Sequence, residues 1–234
     1  GSGKSSTLYA CLNERKKSRP DTNAVTVEDP IEYRLGGATQ VQVNHAVDLG
    51  FARILRGMLR QDPDVIMVGE VRDGDTAQLA LEAAMTGHLL LTSMHANTAI
   101  AAVQRLENLG CPRPLIAQSL ALVLVQRLAR RLCPRCVKTE VPPPLLLDSL
   151  AARGLADKAA PVPMPRAVGC GECNGTGWSG RVAVLEAFEL KDNARNMLMA
   201  GTSLADIEKQ AIDAGALLPF RRYAGVLMAR NLIA

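Results

Sequence analysis

Short apolar runs recur through the first half of the chain, each set between stretches of helical period. AVTVE (24–28), DVIMV (64–68) and HLLLTS (88–93) read as strands, and helices are expected from about Ser5 to Lys17 and over 50–61, 74–87 and 97–110. Gly87 and Gly110 close the last two helices. Strands this short and apolar present no wet face, and strand–helix alternation brings each new strand back in the same direction. The class this dictates is α/β, a mostly parallel sheet with helices on both faces. Beyond residue 110 the pattern is less regular. Residues 111–135 read as helical after CPRP, and a Pro-, Ala- and Gly-rich insert with one short helix follows. RVAVLEAFEL (181–190) reads as a strand, and helices are expected near 192–200, 203–214 and 218–231. There is no internal repeat, and 234 residues suit one large domain with or without a small appendage.

The chain opens with GSGKSS, and Gly1, Ser2, Gly3, Lys4 and Ser5 match the last five positions of the phosphate-loop pattern G-x-x-x-x-G-K-[ST]. Glycines let backbone N–H groups approach phosphate oxygens, and a helix starting near Ser5 aims its positive end at the same place. Lys4 would then bridge phosphates and the Ser5 hydroxyl would bind Mg²⁺, with Ser6 next in line. Gly-Ser-Gly is also linker composition, so the hexamer alone leaves a flexible terminus as the other reading.

Four further stretches carry candidate chemistry. TVEDPIEY (26–33) gathers Glu28, Asp29 and Glu32 at a strand's end, where carboxylates polarise water or hold a metal, or else make a solvated turn. LRQDPDVIMVGE (59–70) resembles a Walker B strand ending on Glu70, with Gly69 where an aspartate commonly stands. In the helix before it, Phe51, Ile54, Leu55, Met58 and Leu59 form one face, and Arg53, Arg56 and Arg60 a band opposite. Such a band is either solvated or reaches a neighbour's nucleotide, and Arg72 is a further candidate for that reach. TGHLLLTSMHANTA (86–99) sets His95 after a strand, either sensing a phosphate or capping local structure.

Cys133 and Cys136 in CPRC, with Cys170 and Cys173 in CGEC, supply four thiolates, enough to close a tetrahedral structural Zn²⁺ site. Redox pairs or unpaired thiols are the alternatives, although one hook suffices for a redox pair. Thirty-three residues (137–169) separate the hooks. QRLARRLCPRCVK (126–138) holds five basic residues and no acid, facing an acidic partner, lipid headgroups or solvent. The net charge, 27 − 23 = +4, and 3% aromatic residues argue against nucleic-acid binding. No signal peptide or bilayer-length apolar run is present, so a cytoplasmic location is expected.

GSGKSSTLY, TVEDPIEY, LRQDPDVIMVGEVRD, TGHLLLTSMHANTA and GCGECNGTGWSGR, in this order, resemble the type II/type IV secretion ATPase family, the hexameric motors of type II secretion and type IV pilus assembly. The resemblance covers nearly the whole chain. It implies a RecA-like P-loop NTPase core over 1–132, a tetracysteine zinc-binding subdomain over 133–180, and a C-terminal strand and helical region over 181–234. By matching position it makes Gly1, Ser2, Gly3, Lys4, Ser5 and Ser6 the ATP-phosphate site and Glu32 the water-orienting base, with Glu28 and Asp29 in support. Glu70 becomes the Walker B carboxylate on Mg²⁺ together with Ser5, His95 the phosphate sensor, and Arg60 and Arg72 the arginines that act across subunits. The zinc subdomain belongs to the family's assembly motors rather than its retraction motors. The resemblance further implies a homo-hexamer, peripheral at the inner membrane, that drives pilin or pseudopilin polymerisation through a platform protein. The front of the phosphate loop and a preceding domain are missing from the match, and the chain stops within the C-terminal helices, so weak nucleotide binding or activity is expected of this piece alone. Another P-loop translocation motor, conjugative or DNA-translocating, and a zinc scaffold with an inactive nucleotide site are the competing readings.

Overall fold

The computed structural model describes residues 1–152 and 162–234; of the expected irregular insert, 153–161 lies outside them. The chain runs α1 (Lys4–Ser18), β1 (Ala24–Glu28), β2 (Ala38–Gln42), α2 (Phe51–Met58), β3 (Val65–Val68), α3 (Gly74–Met85), β4 (Leu89–Thr92), α4 (Ala99–Asn108) and α5 (Arg113–Ser119). It continues through β5 (Leu122–Leu132), β6 (Lys138–Glu140), α6 (Pro144–Ala152), β7 (Met164–Arg166) and β8 (Trp178–Glu189), then α7 (Asp192–Met199), α8 (Leu204–Asp213), β9 (Leu217–Leu218) and α9 (Phe220–Ala229). Two compact units result: Gly1–Val125 with Glu186–Leu218, and Gln126–Leu185 with Pro219–Ala234.

The first unit is built on a sheet of order β2-β1-β3-β4. Every neighbouring pair is parallel, with Ala24 opposite both Ala38 and Val65, and Val65 opposite Leu89. All four strands therefore end at the same edge. All five residues of β1 and all four of β3 are buried, as a sheet covered on both faces requires. On one face α1 sets Tyr9 and Leu12 against Ala24, Val65 and Met67, with Leu35 closing the cluster. Each large side chain so buried contributes roughly 1.5–3 kcal/mol of transfer free energy. α2 packs on β1 and α3. Its Phe51, Ile54, Leu55 and Met58 are buried while Arg53 and Arg56, and Arg60 just beyond it, are exposed, the division the periodicity predicts. Asp73 caps α3 by accepting from the Thr76 amide at 2.8 Å.

The expectation of helix across 111–135 is corrected. Helix α5 stops at Ser119, Leu120 is extended, and β5 occupies Leu122–Leu132. Leu122, Val125, Leu128 and Leu132 satisfy a helical period, and Leu122, Leu124, Leu128 and Leu132 a strand's, so spacing alone does not separate the two. The strand wins because β8 offers it a partner, in a sheet of order β5-β8-β9. β2 is a strand that the sequence does not announce, because ATQVQ is too polar to stand out.

In the second unit β6 and β7 pair antiparallel, Lys138 opposite Arg166, and α9 packs against β7. The Leu132 amide donates to the Leu232 carbonyl at 2.9 Å. The basic run is largely strand, and two of its arginines lie over aromatic rings: Arg127 is 5.4 Å from the Phe220 centroid and Arg130 4.4 Å from that of Trp178. No helix among the described residues is long and apolar enough to cross a membrane.

Candidate functional site

At the common C-terminal edge of the sheet a cleft of about 180 Å³ opens in the first unit. Lys4 and Ser5 line it from the start of α1, Glu28, Asp29 and Glu32 from the end of β1 and the loop after it, and Glu70 and His95 from beyond β3 and β4. A crevice outside the carboxyl ends of parallel strands is where α/β sheets bind ligands.

Gly3 precedes α1 at φ 84°, a left-handed conformation that favours glycine. The chain turns there so that Lys4 opens the helix. The first turn of α1 carries amides without intrahelical partners and the positive end of the helix dipole. That is what an anionic phosphate needs, and Lys4 adds a charge to it. Gly1, Ser2, Gly3 and Ser6 adjoin this turn but are not part of the cleft lining.

Gly69 allows β1 and β3 to close on each other. Its amide donates to the Val27 carbonyl at 2.8 Å. A Cβ there would sit 3.3 Å from that oxygen and 3.4 Å from Glu28 Cα. This close approach keeps Glu28 and Glu70 on neighbouring strand ends. The Ser93 hydroxyl, donating to the Gly69 carbonyl at 2.7 Å, ties β4 to the same point.

The acids are not equivalent. Glu28 is only 4% exposed and accepts from Thr26 Oγ1 at 2.6 Å, Gln40 Nε2 at 2.9 Å and the Tyr9 hydroxyl. Glu32 is exposed at the cleft. Glu70 pairs with Arg72 and lies 3.8 Å from His95 Nε2. Arg72 also approaches Asp29 at 3.9 Å, and Asp29 approaches His45 Nε2 at 3.3 Å. The hydrogen bond to Glu70, then its charge, push the Arg72 pKa above the ordinary arginine value. Arg60, exposed just beyond the end of α2, lies outside the cleft lining. Leu8, Tyr9, Phe51, Met67 and Ser93, none of them a candidate from the sequence, also line the cleft. Only Tyr9 among these carried a signal, as an aromatic five residues beyond Lys4 on the same helix.

The second unit holds the thiol cluster. The sulfurs of Cys133, Cys136, Cys170 and Cys173 all lie within 4.8 Å of one another. Cys133–Cys170, Cys136–Cys173 and Cys170–Cys173 are 4.0, 3.9 and 3.8 Å apart. A tetrahedron with Zn–S of about 2.3 Å has edges of about 3.8 Å, so the donor set fits zinc. Backbone amides of Gly169, Cys170 and Gly177 donate to the sulfurs at 3.1–3.3 Å, which favours thiolates. Burial opposes ionisation of Cys173, yet the amides of Cys170 and Gly177 and the neighbouring thiols outweigh it and bring its pKa down to about 6. Cys11 and Cys111 stand outside the cluster.

Residues 1–230 match the family described as type II/IV secretion system protein. The chain belongs to that family. Type II secretion system protein E of Aeromonas hydrophila is 46% identical over 209 residues, 89% of this chain and 40% of that protein. Type IV pilus assembly ATPase PilB of Myxococcus xanthus is 43% identical over 217 residues, 92% of this chain and 38% of that protein. Type II secretion system ATPase E of Vibrio cholerae is 46% identical over 211 residues, 89% of this chain and 40% of that protein. The chain thus spans about two fifths of the length of these curated family relatives. Among solved structures, the pilus retraction motor PilT with bound ADP is similar over the whole chain and 56% of its own, at TM-score 0.68 and 25% identity. The ATPase DotB of Legionella pneumophila, at 23% identity and TM-score 0.69 over the whole chain and 55% of its own, shares the fold. The covered parallel sheet behind α1 is therefore the α/β, RecA-like P-loop core expected of this family member, accompanied by its four-cysteine cluster.

Proposed function

We propose that this chain is the ATP-hydrolysing motor portion of a type II protein secretion or type IV pilus assembly machine. One observation carries the reading: Lys4, Ser5, Glu32, Glu70 and His95, drawn from four separate stretches of sequence, converge on a single cleft. Relatives of both kinds carry the word ATPase in their names. In this reading Lys4 and Ser5, flanked by Gly1, Ser2, Gly3 and Ser6, hold the phosphates of ATP. Ser5 and Glu70 hold Mg²⁺, which when bound supplies charge neutralisation. Glu32 orients the attacking water and takes its proton, Asp29 and Glu28 support it, and His95 distinguishes whether a γ-phosphate is present. Arg72 is paired with its own Glu70 and Asp29, so acting on a neighbouring subunit would require it to leave both. Arg60 is exposed, and no ion pair ties it among the described residues.

The four thiols hold Zn²⁺, which when bound supplies a structural cross-link at the base of the insert. The assembly is a homo-hexamer on the cytoplasmic side of the inner membrane. It passes motion from hydrolysis to a platform protein and so to pilin or pseudopilin polymerisation. The test is phosphate release by the full-length protein and its Lys4→Ala and Glu32→Gln variants. Both variants are expected to lose at least about a hundredfold in turnover, the scale of general-base catalysis. Hydrolysis and assembly unchanged in Lys4→Ala would overturn the reading.

A further inference from the structure

The loop that carries Asp29 and Glu32 returns the chain from the end of β1 to the start of parallel β2, without a helix between them. Its backbone is held mostly by side chains from outside the loop. The Ile31 amide donates to Gln42 Oε1 at 3.2 Å and the Leu35 amide to Gln40 Oε1 at 2.7 Å. The Tyr33 carbonyl accepts from Gln40 Nε2 at 3.3 Å, and the Gly37 carbonyl accepts from Lys16. The Glu32 amide itself donates to the Tyr9 hydroxyl at 3.3 Å. Tyr9 in turn donates to Glu28, and its ring meets Tyr33 edge-on with centroids 4.3 Å apart.

We propose that Tyr9 is a positioning residue for Glu32, its hydroxyl joining the buried Glu28 carboxylate to the Glu32 amide. The proposal deepens the reading of Glu32 as the water-orienting base and rests on it. Four features support it. Tyr9 is fully buried and Glu28 nearly so, and the carboxylate has Thr26 and Gln40 as further donors, so the anchor is fixed before any ligand arrives. The hydrogen bonds run in one direction, from the Glu32 amide to the tyrosine oxygen and from the tyrosine hydroxyl to Glu28, an arrangement in which each bond polarises the next. Burial, then the hydrogen bond to Glu28 and its charge, push the phenol up to about 12, so it remains a donor at any working pH. Tyr9 also sits on the helix that begins with Lys4 and Ser5, five residues and about 7.5 Å further along. One rigid element thus sets the spacing between the phosphate site and the backbone of the base.

The test is Tyr9→Phe in the full-length protein, which keeps the ring in the core and removes only the hydroxyl. The kcat for ATP hydrolysis is expected to fall about tenfold, the scale of losing the one tie to the Glu32 amide, with KM for ATP and the affinity for a fluorescent ADP within about twofold. In a Glu32→Gln background the same change is expected to add no further loss, because Tyr9 acts through Glu32. Gln42→Leu provides a second variant at an exposed position, cutting the Ile31 tie without entering the core, with an expected drop in kcat of about threefold. An unchanged kcat in Tyr9→Phe, with Glu32→Gln inactive, overturns the positioning role and leaves the base in place. Equal losses of kcat and nucleotide affinity, or the same loss in both backgrounds, overturn it in favour of general structural support. Normal hydrolysis by Glu32→Gln removes the base assignment and the positioning role with it.

Discussion

Replacing Glu28 separates the buried acid from the working ones. Glu28→Ala leaves the Tyr9, Thr26 and Gln40 donors facing a space they cannot fill. Each orphaned donor costs about 1 kcal/mol or more, so the sum is at least about 3 kcal/mol before any cavity term. For a protein of this length each kcal/mol moves the melting temperature by about 2–4 °C, which places the expected drop at about 6–12 °C. Glu28→Gln keeps the shape and one acceptor and loses the charge; it is expected to cost about 1 kcal/mol, or about 2–4 °C. Scanning calorimetry of the two variants beside the unmodified protein reads both shifts. Glu32→Gln, at an exposed position, is expected to melt within about 1 °C of the parent. A Glu28→Ala protein melting within about 2 °C of the parent would mean that the three hydrogen bonds do not support the fold, and the argument for a fixed anchor would fail with it.

Three more outcomes are open to measurement. The purified chain is expected to carry one zinc ion by atomic absorption, and Cys173→Ser to lose it along with the protease resistance of the chain around Cys133, Cys136, Cys170 and Cys173. Asp73→Ala removes the cap of α3 and the partner of the buried Thr76 hydroxyl, at an expected cost of about 2 kcal/mol in urea unfolding with nucleotide affinity unchanged. Tyr9 makes stability pH-dependent in the alkaline range. The unfolded chain gives up this phenol proton near 10 and the folded chain only near 12, so this contribution is fully present below pH 10 and is lost as pH rises to 12. Tyr9→Phe should abolish that part of the decline.

The candidate site was largely legible because its residues follow short local patterns. A buried strand that runs into an acid, as β1 runs into Glu28 and β3 toward Glu70, announces both the strand and the edge where its side chain emerges. Parallel register then brings the separate stretches together without further information. What escaped was whatever depends on distant partners. Nothing local marks Gln40 and Gln42 as the residues that hold the acid loop, since β2 is a polar edge strand. Nor does the composition of EDPIEY separate Glu28 from Glu32: both stand in one short motif, and only the packing of Tyr9 makes the first a buried anchor and leaves the second exposed. β5 is hidden for a related reason, its apolar residues serving two periods until β8 decides between them.

The acid loop takes its shape from amides that answer to Tyr9, Gln40 and Gln42 rather than to one another. Anyone transplanting DPIEYRLGG into another scaffold would carry the letters and leave the grammar behind. A working graft has to bring a helix and an edge strand as well, and the smallest portable version of this motif is discontinuous in sequence.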